Sequence, residues 1–250
     1  MRVSIFLLLV AWAAALQRTP VSGVVRGSQL TTPAVQWQRV ANGRSVMALR
    51  GGAAGSVIGT QWASYIRALD EHPLRTKMAT GAVLASIGDL IAQAMEGATS
   101  LALRRLVNLV LVNVLYVTPF LCATYALNEW LVGKKAGLSA ASATGTGARL
   151  IVDQFVNAPV VVLGFFCSFG LIDAISATLF AAEPFNLGLL GSSIAMKLRT
   201  EYVGTMINNW KIWIAPQLVN FALMPPPLRV PFASVVALVW NVVLALVANR

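Results

Sequence analysis

Long apolar stretches alternate with short polar segments over most of the chain, which predicts membrane-spanning helices. Four such stretches follow the first seventy residues, at 78–95, 106–127, 155–182 and 230–249. A helix rises about 1.5 Å per residue and the bilayer core is about 30 Å thick, so about 20 apolar residues cross it. The sequence therefore predicts an all-α, polytopic membrane protein, a bundle of four transmembrane helices whose two ends lie on one side of the membrane.

A helical period precedes the fourth stretch. Apolar residues recur there every three or four positions, at Leu187, Leu190, Ile194, Leu198, Tyr202 and Met206. This spacing puts them on one helical face, with Lys197 and Glu201 on the other. Because Trp210 and Trp213 follow, and Trp favours the membrane interface, we expect an interfacial amphipathic helix along the headgroups.

Composition strengthens the membrane assignment. The chain is 57% hydrophobic and 11% charged, with a mean hydropathy of +0.72, outside the range of soluble domains. Its net charge of +10 comes mainly from residues 1–69, which hold seven Arg and no acid, whereas twelve basic and nine acidic residues follow. A remainder so nearly balanced does not indicate nucleic-acid binding. The expected partner is the lipid bilayer.

The first 59 residues are typical of a targeting region. Arg2, a short apolar core and Ala13 and Ala15 make residues 1–15 signal-like, while residues 16–59 are rich in Arg, Ser, Thr and Gly without acids, as transit peptides are. Such a two-part address resembles those of plastids derived from an engulfed alga. A mitochondrial presequence, or an arm without a targeting role, is the alternative. Residues 60–250 form the predicted four-span membrane domain.

Polar residues share one face of the first span. Ser86, Asp89 and Gln93 are spaced by three and four positions. The neighbouring face carries small residues that allow a second helix to approach closely, namely Gly81, Ala85, Gly88 and Ala92. A carboxylate at bilayer depth is costly, so we expect Asp89 to face the bundle interior. No basic residue lies within a turn of it, so its partner is another helix, water or a proton.

A second polar group lies where the third span begins. Arg149, Asp153 and Asn157 are spaced by four positions, and Gln154 follows Asp153. Two interpretations stand side by side. These residues and those of the first span line an aqueous path, or they form a buried structural network in which Arg149 neutralises Asp153 one turn away.

Sites for other chemistry are not indicated. His72 is the sole histidine, and Cys122 and Cys167 fall within predicted spans without a CxxC or His neighbour. No nucleophile motif or phosphate-binding Gly loop occurs in the sequence. We therefore expect neither a metal, nor a cofactor, nor enzymatic activity.

Three ordered blocks of residues carry a family resemblance. The opening block contains Trp62, Tyr65, His72-Pro73, Gly88-Asp89 and Gln93. The central block contains Arg149, Asp153-Gln154, Ala158 and Pro159. The closing block contains Trp210, Trp213, Gln217, Asn220-Phe221, Pro225, Arg229 and Trp240. Together they resemble the signature of the Mpv-seventeen and twenty-two-kilodalton peroxisomal membrane protein family.

Departures from the family pattern bear on function. Ile214 stands where the family usually has Pro after the second Trp, and the second span has Thr118-Pro119 and Cys122 in place of a Gly-Pro, His and aromatic pattern. If the missing side chains line a conducting path in the family, selectivity differs here or conduction is absent.

The resemblance implies a multi-pass protein of the mitochondrial inner, peroxisomal or plastid membrane. It also implies a weakly selective channel for small solutes, with a role in organelle homeostasis or stress. The alternative is a non-conducting scaffold or accessory subunit of a membrane complex, and either form could be a homo-oligomer. An intramembrane acid protease using the two Asp is a third reading, whose usual sequence context is absent.

Four residues of the closing block are expected to serve membrane anchoring and structure. Trp210 and Trp213 would anchor a helix end at the interface, Asn220 would bond backbone near the following proline turn, and Arg229 would extend to the headgroups at the start of the last span.

Removal of the targeting region is a first testable prediction. Because residues 16–59 have the composition of an address, we expect the mature chain to start well after Ala15, near 51–59. N-terminal sequencing of the native protein measures this directly. An intact Met1 or Arg2 in the organelle would show that the region is not a cleaved address.

Overall fold

The computed structural model describes residues 53–140, 142–181 and 184–248, and the backbone there is helical with short connections. The helices are α1 (Ala53–Glu71), α2 (Pro73–Met95), α3 (Leu103–Lys135), α4 (Ala143–Phe180), α5 (Leu187–Leu223) and α6 (Arg229–Ala248). The all-α class is therefore confirmed. Most of the predicted targeting region, up to residue 52, lies outside the described residues.

Three of these helices are long and apolar enough to cross a membrane, namely α2, α3 and α4. A shorter apolar stretch, Pro226–Val239, leads into and occupies the start of α6. The polytopic character is thus confirmed. Two details differ from the prediction: one helix boundary and one additional helix. Helix α4 starts at Ala143, capped by Ser142, whose hydroxyl accepts a hydrogen bond from the Gly145 N–H at 3.0 Å. Helix α1, which precedes the first span, was not predicted.

Helices α3 and α4 contain wide π-helical turns. These turns are Asn113–Val117 and Glu129–Lys135 in α3 and Asp153–Asn157 in α4. A π turn adds a residue to one turn and rotates the faces that follow it. Face assignments made from a spacing of four residues therefore fail across these turns.

Helix α5 differs from the expected interfacial helix in length and position. It continues through Trp210, Trp213 and Pro216 to Leu223, and its 37 residues measure about 55 Å. Its side chains follow α4 in antiparallel order. Ile194 lies at Gly170, the Tyr202 hydroxyl donates to the Pro159 carbonyl at 3.0 Å, and the Trp210 indole N–H donates to the Gln154 carbonyl at 3.0 Å.

The apolar face of α5 thus packs on α4, a spanning helix, in antiparallel orientation. Helix α5 returns the chain to the end where α2 began. Arg229, the first residue of α6, contacts Glu129 near the end of α3. We call this the Pro73 end and the opposite one the Met95 end. Helix α6 then runs beside α2 in the same direction.

Close helix packing depends on small residues, as predicted for Gly81 and Gly88, both buried. The tightest contact joins α3 to α4. The Tyr116 hydroxyl donates to the carbonyls of Val160 and Val161 at 3.2 and 3.1 Å, and its ring fills the space where a Cβ on Gly164 would lie. A side chain at Gly164 would displace a ring that is fixed at both ends.

Substitution of this glycine tests the packing. Gly164→Ala should destabilise the protein by about 1–3 kcal/mol, because overpacking exceeds the gain in helix propensity. Gly147→Ala in the same helix is the control, since no atom lies within 4 Å of its added Cβ. Thermal unfolding in detergent should show a lower midpoint for Gly164→Ala and an equal or higher one for Gly147→Ala. Equal midpoints for the two variants would contradict this packing.

Candidate functional site

Buried polar side chains form two clusters, one at each end of the bundle. The Pro73-end cluster draws on α3, α4, α5 and α6, and the Met95-end cluster on α2, α3 and α4. The bundle interior is therefore polar along much of its length.

An ion-pair triad occupies the Pro73-end cluster. Glu129 of α3 lies between two guanidinium groups, with Arg149 of α4 at 2.7 Å and Arg229 of α6 at 3.1 Å. Both arginines are almost inaccessible, at 1% and 4% exposure. One carboxylate thus ties three helices together and neutralises one of two buried positive charges.

The remaining donors of these arginines bind backbone oxygens. Arg149 donates to the carbonyls of Gly145 at 3.0 Å and Leu138 at 3.3 Å, and Arg229 donates to Met224 at 3.3 Å. Two expectations were wrong here. Arg149 pairs with Glu129 and not with Asp153, and Arg229 is buried rather than extended to the headgroups.

Amide side chains surround Asp153. Its Oδ2 accepts hydrogen bonds from Gln154 at 2.8 Å and from Gln217 of α5 at 2.9 Å. Gln217 also donates to the Tyr125 hydroxyl at 2.9 Å, and Asn220 donates to the Gln217 Oε1 at 2.8 Å. Among the described residues, no Lys or Arg forms an ion pair with Asp153. Neutral donors stabilise this carboxylate, which is buried and 4% exposed.

Asp89 lies in the Met95-end cluster and faces the interior, as expected, with 3% exposure. Its partner comes from another helix, because Arg105 Nε of α3 lies 2.9 Å from its Oδ1. Gln93 donates to its Oδ2 at 2.7 Å and accepts from the Ala102 N–H at 2.8 Å. Arg105 also binds the exposed Glu96 at 2.6 Å, and these hydrogen bonds hold the pKa of the Glu96 carboxyl below its ordinary value.

The same cluster extends to α4. Asn108 of α3 donates to Asp173 at 2.9 Å, and Arg104 lies 3.7 Å from the same carboxylate oxygen. Both ends of the bundle therefore carry ion pairs, and amides and hydroxyls lie between them.

Several buried polar atoms have no hydrogen-bond partner among the residues that the structure describes. They include Asn108 Oδ1, Asn128 Oδ1, Gln154 Oε1, Asn157 Nδ2, Asn209 Nδ2 and Asn220 Oδ1. Protein interiors leave few such groups unpaired, and the usual partner is ordered water. Their position inside the bundle indicates a hydrated interior.

The other predicted site residues are placed as follows. Ser86 donates to the Ala82 carbonyl of its own helix at 2.8 Å and does not join the Asp89 cluster. Trp210 binds the Gln154 carbonyl and Trp213 is half-buried. Asn220 donates to the Arg229 carbonyl at 3.2 Å, which links α5 to the start of α6 as expected.

Further residues of these clusters were not among the predicted sites, and they include Arg105, Asn108, Tyr125, Glu129, Asp173 and Gln217. The available signal was polarity inside or at the edge of an apolar stretch. Asn108 interrupts the second span, and Glu129 follows its end. Their partners lie on other helices, which spacing along one helix does not reveal.

The described residues contain no group of three or more His, Cys, Asp or Glu placed to hold a metal ion. The chemistry of the clusters is thus that of hydrogen bonds and ion pairs.

Removal of the shared carboxylate tests the triad. Glu129→Gln leaves two buried guanidiniums without a counter-charge and should cost about 3 kcal/mol, the lower end of the range for broken buried pairs, because Glu129 is itself partly exposed. Glu96→Gln is the matched control, since its exposed pair with Arg105 should contribute at most about 1 kcal/mol. Thermal unfolding of both variants measures the difference. Equal losses would mean that the triad does not hold the bundle together.

Comparison with known proteins identifies a family of membrane proteins. Residues 190–245 match the Mpv17 / PMP22 family model. A Dictyostelium discoideum protein named PXMP2/4 family protein 2 is 30% identical over 191 residues, which cover 74% of this chain and 89% of that protein. No solved structure matches the chain.

Two further relatives bear the family's organellar names. The mitochondrial inner membrane protein Mpv17 of Xenopus laevis is 27% identical over 195 residues, 76% of this chain and 97% of that protein. The peroxisomal membrane protein PMP22 of Arabidopsis thaliana is 27% identical over 191 residues, 74% of this chain and 88% of that protein. The resemblance in the three sequence blocks is thereby confirmed, and the chain belongs to the Mpv17/PMP22 family.

Proposed function

We propose that the protein is a weakly selective channel for small solutes in an organellar membrane, without enzymatic activity. The observation that carries the proposal is the set of buried polar atoms, in and beside the two ion-pair clusters, that have no hydrogen-bond partner among the described residues. In hydrocarbon, an unsatisfied polar group costs several kcal/mol, so these atoms favour an interior that admits water.

The polar residues are distributed as a path requires. Helix α3 contributes Asn108, Thr118, Tyr125 and Asn128, all buried, at successive depths. Further buried polar residues come from the neighbouring helices: Gln93 from α2, Asp153 and Asn157 from α4, and Gln217 from α5. Side chains of this kind replace part of a solute's hydration shell as it passes.

Charge is placed at the two ends rather than at mid-depth. A solute would pass the Glu129 triad at one end and the Asp89–Arg105 pair at the other. It would pass neutral amides on the way between them. Asp153, which no cation neutralises among the described residues, is the group expected to set charge preference. Conduction requires that the side chains at the ends move apart, since the contacts there are closed.

The organelle is also part of the proposal. Relatives are named as mitochondrial inner membrane and peroxisomal membrane proteins. We place this chain in an organellar membrane, and the composition of its first 59 residues adds a plastid to the candidates.

A second candidate function is a non-conducting scaffold or accessory subunit. The hydrogen bonds among Asp153, Gln217, Tyr125 and Asn220 favour it, because they form a network that is largely closed on itself. Such a protein would retain its partners during purification and would carry no solute across a membrane.

Solute flux through liposomes containing the purified chain distinguishes the two. Asn157→Leu should lower flux about tenfold, since a lost interaction with water costs about 1–1.5 kcal/mol. Val156→Leu, one position away and 53% exposed toward lipid, should leave flux unchanged. Asp153→Asn keeps the shape but removes the charge, and should alter the preference between cationic and anionic solutes.

Circular dichroism and thermal unfolding of the three variants serve as folding controls. Flux from the unaltered chain no greater than from empty liposomes would refute the channel and favour the scaffold. Equal flux through Asn157→Leu and Val156→Leu would show that solutes do not follow this interior.

A further inference from the structure

An apolar groove lies at the Pro73 end, outside the polar interior. It has a volume of 650 Å³ and is enclosed by α1, α2 and the region where α5 leads into α6. Representative lining residues are Trp62 and Tyr65 of α1, Thr80 and Val83 of α2, and Phe232 and Val235 of α6. Val83 and Val235 are 57% and 48% exposed, so the groove opens to the outside of the bundle, where the hydrocarbon lies.

The polar groups of the groove are already bonded to one another. The hydroxyls of Tyr65 and Thr80 lie 3.1 Å apart, and Thr80 donates to the Thr76 carbonyl at 2.8 Å. Thr76 donates to the Ala68 carbonyl, also at 2.8 Å. The hydroxyl donors here are already used, so a polar solute would lose hydrogen bonds to water without replacing them. An apolar occupant has no such desolvation cost. These features favour a hydrocarbon as the occupant.

The size of the groove suits a single hydrocarbon chain. A cavity of 650 Å³ lies in the range of small-molecule sites. Along α2 the groove extends from Thr76 to Leu84, about 12 Å. An elongated hydrocarbon fits these dimensions.

Charge at the mouth of the groove indicates the head group. Arg75 is exposed, and it precedes the lining residues Ala79 and Val83 on the same row of α2 at spacings of four. Within the described part of the chain, no acidic side chain forms an ion pair with Arg75. An unpaired guanidinium at a membrane interface attracts phosphate.

We propose that this groove binds one acyl chain of an anionic phospholipid, whose phosphate lies at Arg75. Helix α1 closes the groove over α2, so the bound lipid also fixes α1 against the first span. The site is separate from the polar interior, and the inference does not depend on conduction.

Photolabelling of the full chain tests the proposal. The chain is placed in phosphatidylcholine vesicles containing phosphatidylglycerol with a diazirine on its acyl chain, and labelled peptides are mapped by mass spectrometry. We expect label to concentrate on the segments 62–65, 76–84 and 228–235, and unlabelled phosphatidylglycerol to displace it saturably. Label spread evenly over lipid-exposed residues such as Leu179 and Val203, without saturation, would overturn the site.

Matched variants separate the acyl-chain site from the surrounding lipid. Val83→Trp fills the groove and should reduce groove labelling at least threefold. Ile87→Trp alters an exposed apolar residue one turn further along α2, outside the groove, and should change nothing. Equal labelling in the two variants would overturn the site. The saturation measurement on the unaltered chain decides the matter if Val83→Trp fails to fold.

The head group is tested in the same vesicles with a phosphatidylcholine probe carrying the same diazirine. The unaltered chain should label more strongly with the anionic probe, and Arg75→Gln should abolish that preference. Arg67→Gln removes an exposed arginine that is not on the row of α2 leading into the groove, and it should preserve the preference. No preference in the unaltered chain, or its persistence in Arg75→Gln, would overturn the assignment of an anionic lipid.

Discussion

The ion pairs of the Glu129 carboxylate hold the helices together at the Pro73 end. This carboxylate binds Arg149 and Arg229, so the end of α3 and the starts of α4 and α6 meet at one point. A buried guanidinium without a counter-charge is strongly destabilising, which makes this arrangement obligatory once both arginines are buried. With the start of α6 fixed in this position, α5 must cross from the other end to reach it. The antiparallel packing of α5 on α4 follows from that requirement.

The bilayer imposes the rest of the design. Every polar group at hydrocarbon depth needs a partner, and the chain supplies partners from different helices: Gln217 for Asp153, Arg105 for Asp89, and the carbonyls of α4 for Tyr116. Apolar residues cover the outside. The same requirement holds in the groove between α1, α2 and α6. Its polar groups are hydrogen-bonded within the protein, so the surface that faces lipid is apolar.

The candidate site was predictable wherever the argument concerned a single helix. The spacing of Asp89 and Gln93 and the cost of a lipid-facing carboxylate placed Asp89 inside the bundle, where it lies. The pairing of Arg149 with Asp153 failed, because each side chain has a partner on another helix. The turn between them is a regular α turn, but a carboxylate twenty positions away on α3 binds the guanidinium instead. Spacing within one helix contains no information about such a partner.

By itself, the sequence determined that the protein is helical, that it lies in a membrane and that it belongs to its family. The lengths of the apolar stretches suffice for the first two conclusions, since the bilayer acts on each segment separately. The three ordered residue blocks suffice for the third. Tertiary structure decided which polar residues meet, the course of α5 and the presence of the groove. Each of these depends on how helices distant in sequence pack together. The apolar residues that recur from Leu187 onward form the face of α5 that packs on α4. The sequence pattern is the same whether protein or headgroups cover such a face.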